Sequence, residues 1–118
     1  NYPLNKVLIE TRYPKALPIF TQIGFKTSFY LPYGLRNKKN LDFEINKITE
    51  TLNDQPEIGI SSDYRDYYLM KKYFPEKTKY LWMINSVTNR WFTETRSILK
   101  DSTVKVVLVR YNAVSGNR

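Results

Sequence analysis

Lys6-Val-Leu-Ile-Glu-Thr-Arg12, then Pro14 to Ile23, then Lys26-Thr-Ser-Phe-Tyr-Leu31 form the stretch that decides the fold. The first piece is short, apolar and β-branched and reads as a strand. Pro14 suits the opening turn of a helix, where a missing N–H costs little, and Ala16, Leu17, Phe20 and Ile23 recur at helical spacing. Pro18 must also lie in that first turn, because deeper inside it would remove a hydrogen bond. Gly24 supplies the stop, and Lys26–Leu31 returns as a second strand closed by Pro32 and Gly34. A connection of this length favours parallel strands joined by a crossover helix.

The alternation continues to the other end. After a basic loop, Arg36-Asn-Lys-Lys39, Asn40 can cap a helix whose Leu41, Ile45, Ile48 and Leu52 form one apolar stripe. Asn53-Asp-Gln-Pro56 ends it, and Glu57-Ile-Gly-Ile-Ser61 reads as a short third strand. Asp63, with Asp66 three residues on, fits the cap of a helix through Tyr73 that Pro75 terminates. Tyr80-Leu-Trp-Met-Ile84 is the fourth strand, Thr88 can cap a helix holding Trp91, Phe92, Ile98 and Leu99, and Val104–Arg110 is the fifth strand. Asn112 to Arg118 reads as a frayed tail. The expectation is a single α/β domain over residues 1–118, with five mainly parallel strands alternating with helices. Two architectures have this order: an open doubly wound sheet with its first strand central, or part of a (β/α)8, TIM-barrel-like fold.

Composition narrows the chemistry. The chain has 118 residues, 42% hydrophobic and 25% charged, enough for one core and too apolar for disorder. Its uninterrupted apolar runs, such as Val106–Val109, are far too short to span a bilayer. Asn1-Tyr2-Pro3 does not read as a signal peptide, and the lack of a starting Met is expected of a chain processed or excised from something longer. There is no Cys and no His, which excludes disulfides, thiolate zinc sites, Cys nucleophiles and every imidazole mechanism. Hydroxyls, carboxylates, Lys and Arg remain, and the composition assigns no compartment.

The net charge of +8 fits an anionic partner or a plainly basic surface. Residues 1–40 hold seven Lys/Arg against one acid, 41–76 four against eight, and 77–118 eight against two. The excess is mostly in single charges, with Lys38-Lys39 and Lys71-Lys72 the only adjacent pairs. No arginine-rich run or glycine-spaced aromatic motif appears, so nucleic acid is not the expected partner.

The strand ends carry a resemblance. Val7-Leu-Ile-Glu-Thr11, Pro14 to Phe20, Gly24 to Pro32, Ile60-Ser-Ser-Asp63 and Leu81-Trp-Met-Ile-Asn85 resemble the later strands of the glycerophosphodiester phosphodiesterase and phosphatidylinositol phospholipase C-like barrels. Trp82 with Asn85 is similar to that family's Trp-Thr-Val-Asn strand, with Met83 in place of its Thr. Arg110 and Tyr111 stand where the last strand usually delivers Thr-Asp. The resemblance covers nearly the whole chain, but as the last five strands only. It implies the C-terminal segment of a larger barrel, whose paired histidines and most acidic metal ligands come from earlier strands with no counterpart here. If an enzyme, the full-length form would be a phosphoric diester hydrolase, with Mg or Ca as its implied cofactor, and this chain would hold neither catalytic groups nor a metal site. The implied partners are a phosphate-containing small molecule or lipid headgroup, and the rest of the barrel or a second copy, since five strands of a barrel cannot close.

Ligands of parallel β/α proteins bind beyond the carboxyl ends of the strands. The candidate binding residues there are Glu10, Arg12, Tyr30, Asp63, Trp82, Asn85 and Arg110. Arg suits bidentate phosphate contacts. Each has a plainer reading: Glu10 and Arg12 can pair with each other, Asp63 can serve only as a helix cap, and Trp82 can be core. Ser61-Ser62 has no base near it in sequence, which argues against a nucleophile. Tyr64, Tyr67, Tyr68 and Tyr73 read as a half-buried packing face rather than a stacking platform. The alternative function is a non-catalytic α/β domain that recognises an anion.

Overall fold

The computed structural model describes residues 3–84 and 89–109, with side chains placed outside 83–84, 89–92 and 106–109. The elements alternate as β1 (Leu8–Thr11), α1 (Leu17–Ile23), β2 (Lys26–Tyr30), α2 (Leu41–Thr51), β3 (Gly59–Asp63), α3 (Tyr67–Tyr73), β4 (Lys79–Ile84), α4 (Asn89–Leu99) and β5 (Val104–Val109). A 3-10 turn at Pro14–Ala16 leads into α1, which places Pro18 in the first turn of the helix. Gly24 ends that helix at φ 123°, a value that L side chains rarely adopt, and its N–H bonds to the carbonyls of Phe20 and Thr21.

All five strands are parallel and lie in sequence order, β1-β2-β3-β4-β5. The doubly wound alternative required a central first strand, whereas β1 is an edge. One apolar cluster explains the arrangement. Phe29 and Ile60, paired in register, and Leu81, which pairs with Ser62 on the same face, pack with Leu17 of α1, Ile45 and Ile48 of α2, Met70 of α3 and Ile98 of α4. All four helices therefore cover the same face, whereas a doubly wound sheet has helices on both.

The opposite face is lined by the alternate residues: Glu10, Ser28, Tyr30, Gly59, Ser61, Asp63, Tyr80 and Trp82. Gly59 is required there, because a Cβ would meet the Thr78 carbonyl oxygen at 2.8 Å and the Tyr80 ring at 2.9 Å. The Tyr80 ring thus lies over Gly59 and fills the lower part of this face.

Two sequence expectations are corrected. β3 begins at Gly59 instead of Glu57, because Ile58 is still held in a turn by its N–H to the Gln55 carbonyl and both carbonyls accept from Lys77 Nζ. Asn40 occupies the cap position of α2, but its side chain makes no cap hydrogen bond and only its carbonyl enters the helix. The tyrosine cluster packs as expected, with Tyr64 and Tyr67 buried and Tyr68 facing outward.

Candidate functional site

The residues that open the site sit at the carboxyl ends of β1 to β4, on the face without helices. Glu10 of β1 is the centre. Its Oε2 accepts the Trp82 indole N–H at 3.0 Å and the Ser61 hydroxyl, and Ser61 in turn shares a hydrogen bond of 2.6 Å with Ser28. Ser28 and Ser61 are fully buried, so these contacts satisfy hydroxyls that burial would otherwise penalise. One carboxylate thereby ties together side chains from four neighbouring strands.

This contact also fixes the shape of the sheet. β1 and β4 are three strand spacings apart, roughly 14 Å on a flat sheet, where side chains on one face point in parallel. Glu10 and Trp82 meet directly, so the sheet curls toward this face and its side chains converge.

Around the centre stand aromatic and charged groups. The Arg12 guanidinium lies over the Tyr30 ring, 4.8 Å from its centroid, and Tyr30 packs 6.4 Å from Trp82. Burial raises the Tyr30 phenol above its ordinary range, the negative charges of Glu10 and Asp63 add to this, and Arg12 opposes it. Glu10 and Arg12 do not pair with each other among the described contacts; each is taken by a partner on another strand. Asp63 accepts the Arg65 backbone N–H and caps the short turn that leads into α3. It also takes a two-pronged bond from the Arg65 side chain at 2.8 and 3.0 Å, and this hydrogen bonding holds its carboxyl below the usual range despite partial burial. Asn85 and Arg110 lie outside the described residues.

Beside this centre, a cavity of about 460 Å³ opens between the β2–α2 loop and the end of β3, and Tyr30, Trp82, Arg36 and Arg65 are among the residues that line it. At its base Ser62 donates to Asp66 Oδ2 at 2.6 Å, and Arg36 binds Asp66 Oδ1 at 3.0 Å. The sequence pointed to neither Arg36 nor Asp66 as part of a site. The signal was present only as an Asp following a helix cap and an Arg in a loop, two of the commonest positions for solvated charge. The absence of a base beside Ser61-Ser62 is likewise corrected: parallel pairing brings Glu10 to Ser61, and the turn after β3 brings Asp66 to Ser62.

Chemically, the strand ends offer a carboxylate with one oxygen engaged, a cation on an aromatic ring and an indole edge. They can orient a polar ligand and contact an oxyanion. The described residues do not gather three Asp, Glu, His or Cys side chains at one point. A Mg or Ca ion would find one candidate ligand in Glu10, and these residues alone form no cage for it. The fold and site together define a curled parallel β/α arc with a polar, aromatic strand-end face. Compared with protein-family models, curated proteins and solved structures, the chain matches none.

Proposed function

We propose that this chain is a segment of a phosphodiesterase-like barrel, of the glycerophosphodiester and phospholipase C-like kind, and that its strand ends bind a phosphodiester or polyol phosphate. The observation that carries this reading is the Glu10 carboxylate, held on the helix-free face by Ser61 and Trp82, with the Arg12 guanidinium over the Tyr30 ring on the same face. Arg12 would meet the phosphate, Glu10 would accept a ligand hydroxyl, and Tyr30 and Trp82 would form the wall. With no His in the sequence, the proton transfers of hydrolysis would have to come from groups outside this chain. Any Mg or Ca would likewise need ligands supplied from elsewhere in the barrel.

The sheet edge supports this reading. Among the described residues β1 is an unpaired parallel edge, and Ile19 and Ile23, one turn apart on α1, are 60% and 55% exposed. A further β/α unit, from the same polypeptide or a second copy, would cover both.

The test is hydrolysis and binding of a simple phosphodiester by the 118 residues alone and by a longer parent polypeptide. Binding by both with turnover only in the longer form is the expected result. Turnover by the isolated chain would show that the catalytic set is complete here. Binding unaffected by Glu10→Gln and Arg12→Gln would leave a non-catalytic anion-recognising domain, using other residues, as the better reading.

A further inference from the structure

The cavity beside the strand ends has an unequal hydrogen-bonding account. Four charged side chains line it, Arg36, Arg65, Asp63 and Asp66, so their formal charges cancel. Their capacities do not. Asp66 is 1% exposed, and its two oxygens are taken separately by Ser62 and Arg36. Both oxygens of Asp63 are taken by Arg65. Arg36, by contrast, spends a single nitrogen on Asp66, and the rest of its guanidinium has no partner among the described residues. A guanidinium carries five N–H donors and no acceptor. What this cavity still offers a ligand is therefore dominated by donors in a fixed fork.

A buried carboxylate beneath that fork has a second effect. Ser62 fixes Asp66, and Asp66 fixes one edge of Arg36, so the free edge is held over the cavity instead of sampling solvent. We infer that the cavity is an oxyanion subsite centred on Arg36, with Asp66 and Ser62 as its positioning residues, and that the ligand carries a second anionic group, a phosphate or a carboxylate. This deepens the strand-end reading, on which it rests for the phosphate-bearing ligand, but its residues are different ones.

The experiment is an amide NMR titration of the full chain with inorganic phosphate, with acetate and with glycerol in separate arms. Phosphate should shift residues 34–37 and 62–66, and glycerol should not. An acetate response of equal strength would assign the subsite to carboxylates, and a weaker one to phosphates. Arg36→Lys keeps the charge opposite Asp66 but loses the fork, and should weaken phosphate binding about tenfold while leaving the unliganded spectrum and melting temperature near those of the parent. Ser62→Ala should weaken binding less, with Arg36 still charged. Should Arg36→Lys lower stability instead, the Arg36→Gln/Asp66→Asn double variant, which removes both charges together, gives the same reading. Unchanged phosphate affinity in these variants, or no response in this region at about 50 mM phosphate, overturns the inference. Dimethyl phosphate keeps the two ideas apart: its shifts at residues 10–12 and 82 test the strand-end reading, and those can fail while the Arg36 response stands.

Discussion

Ser61 finds its partner in Glu10, 51 positions earlier, and Ser62 finds Asp66 four positions later. The second pairing lies within reach of local reasoning, and the first does not. No spacing rule links Glu10 to Ser61 or Trp82; only the sequential parallel order brings them together. Gly59 shows the same limit. In sequence it is a weakening residue inside a strand, and only the Thr78 carbonyl and the Tyr80 ring packed against it explain its presence. Gly59→Ala should therefore destabilise the fold by about 2 kcal/mol, because the new methyl meets backbone on one side and a buried ring on the other. Urea denaturation would measure this. Adding Tyr80→Leu should recover part of the loss by removing the ring, and equal stability of Gly59→Ala and the parent would mean that both the ring and the Thr78 backbone give way.

At the scale of elements, the helix α1, the apolar stripe of α2 and the β-branched runs were readable because each periodicity needs only local sequence, although Ile23 of the α1 spacing turns out to be exposed. The starts of β2 and β5 were readable too, but β1 and β3 begin two residues later than their sequence runs suggest. Lys77 and Lys79 look like ordinary surface charges, yet Lys79 is fully buried, donating to the Pro75 and Lys77 carbonyls and to Thr103. Burial lowers its ammonium below the usual range, an effect that the Asp101 charge opposes. Asp101 closes the same end of the sheet by accepting from Tyr67 of α3 at 2.7 Å and from the Thr103 N–H and hydroxyl just before β5. Desolvation pushes the Asp101 carboxyl up, but these hydrogen bonds together with Lys79 outweigh it and hold it at about 2 against an ordinary 3.8. A carboxyl depressed in the folded state stabilises fully above its unfolded value and loses that contribution as pH falls through the folded one. The window is thus pH 3.8 down to about 2. With allowance for solvent screening, about 1 kcal/mol should disappear across it. Melting temperatures of the parent and Asp101→Asn should differ at pH 6 and converge near pH 2; a constant difference would place the effect in packing instead.

For the whole molecule, the decisive feature is a sheet with helices on one face and a polar, converging surface on the other. The sequence left open whether helices would fall on one side or two, since a βα alternation serves both. The single apolar cluster and the Glu10–Trp82 contact select the one-sided, curled form. Such an arc carries a physical cost: among the described residues β1 keeps a row of unpaired backbone groups, with no Pro and no Lys among Leu8–Thr11 to discourage pairing. Beside that edge, α1 turns Ile19 and Ile23 outward. An exposed parallel edge next to exposed apolar side chains favours association with another strand–helix unit, and in a solution of this chain alone the available unit is a second copy. Sedimentation should then show a mass that rises with concentration. Ile19→Lys with Ile23→Lys should shift it toward the monomer, and because both positions are more than half exposed, the helical signal should hardly change. Linking the chain to the strands of its proposed parent barrel should abolish the association by filling the edge. A monomer at every concentration, with no response to the double substitution, would mean that the edge is covered within this chain, and the proposed barrel neighbour would have no place to dock.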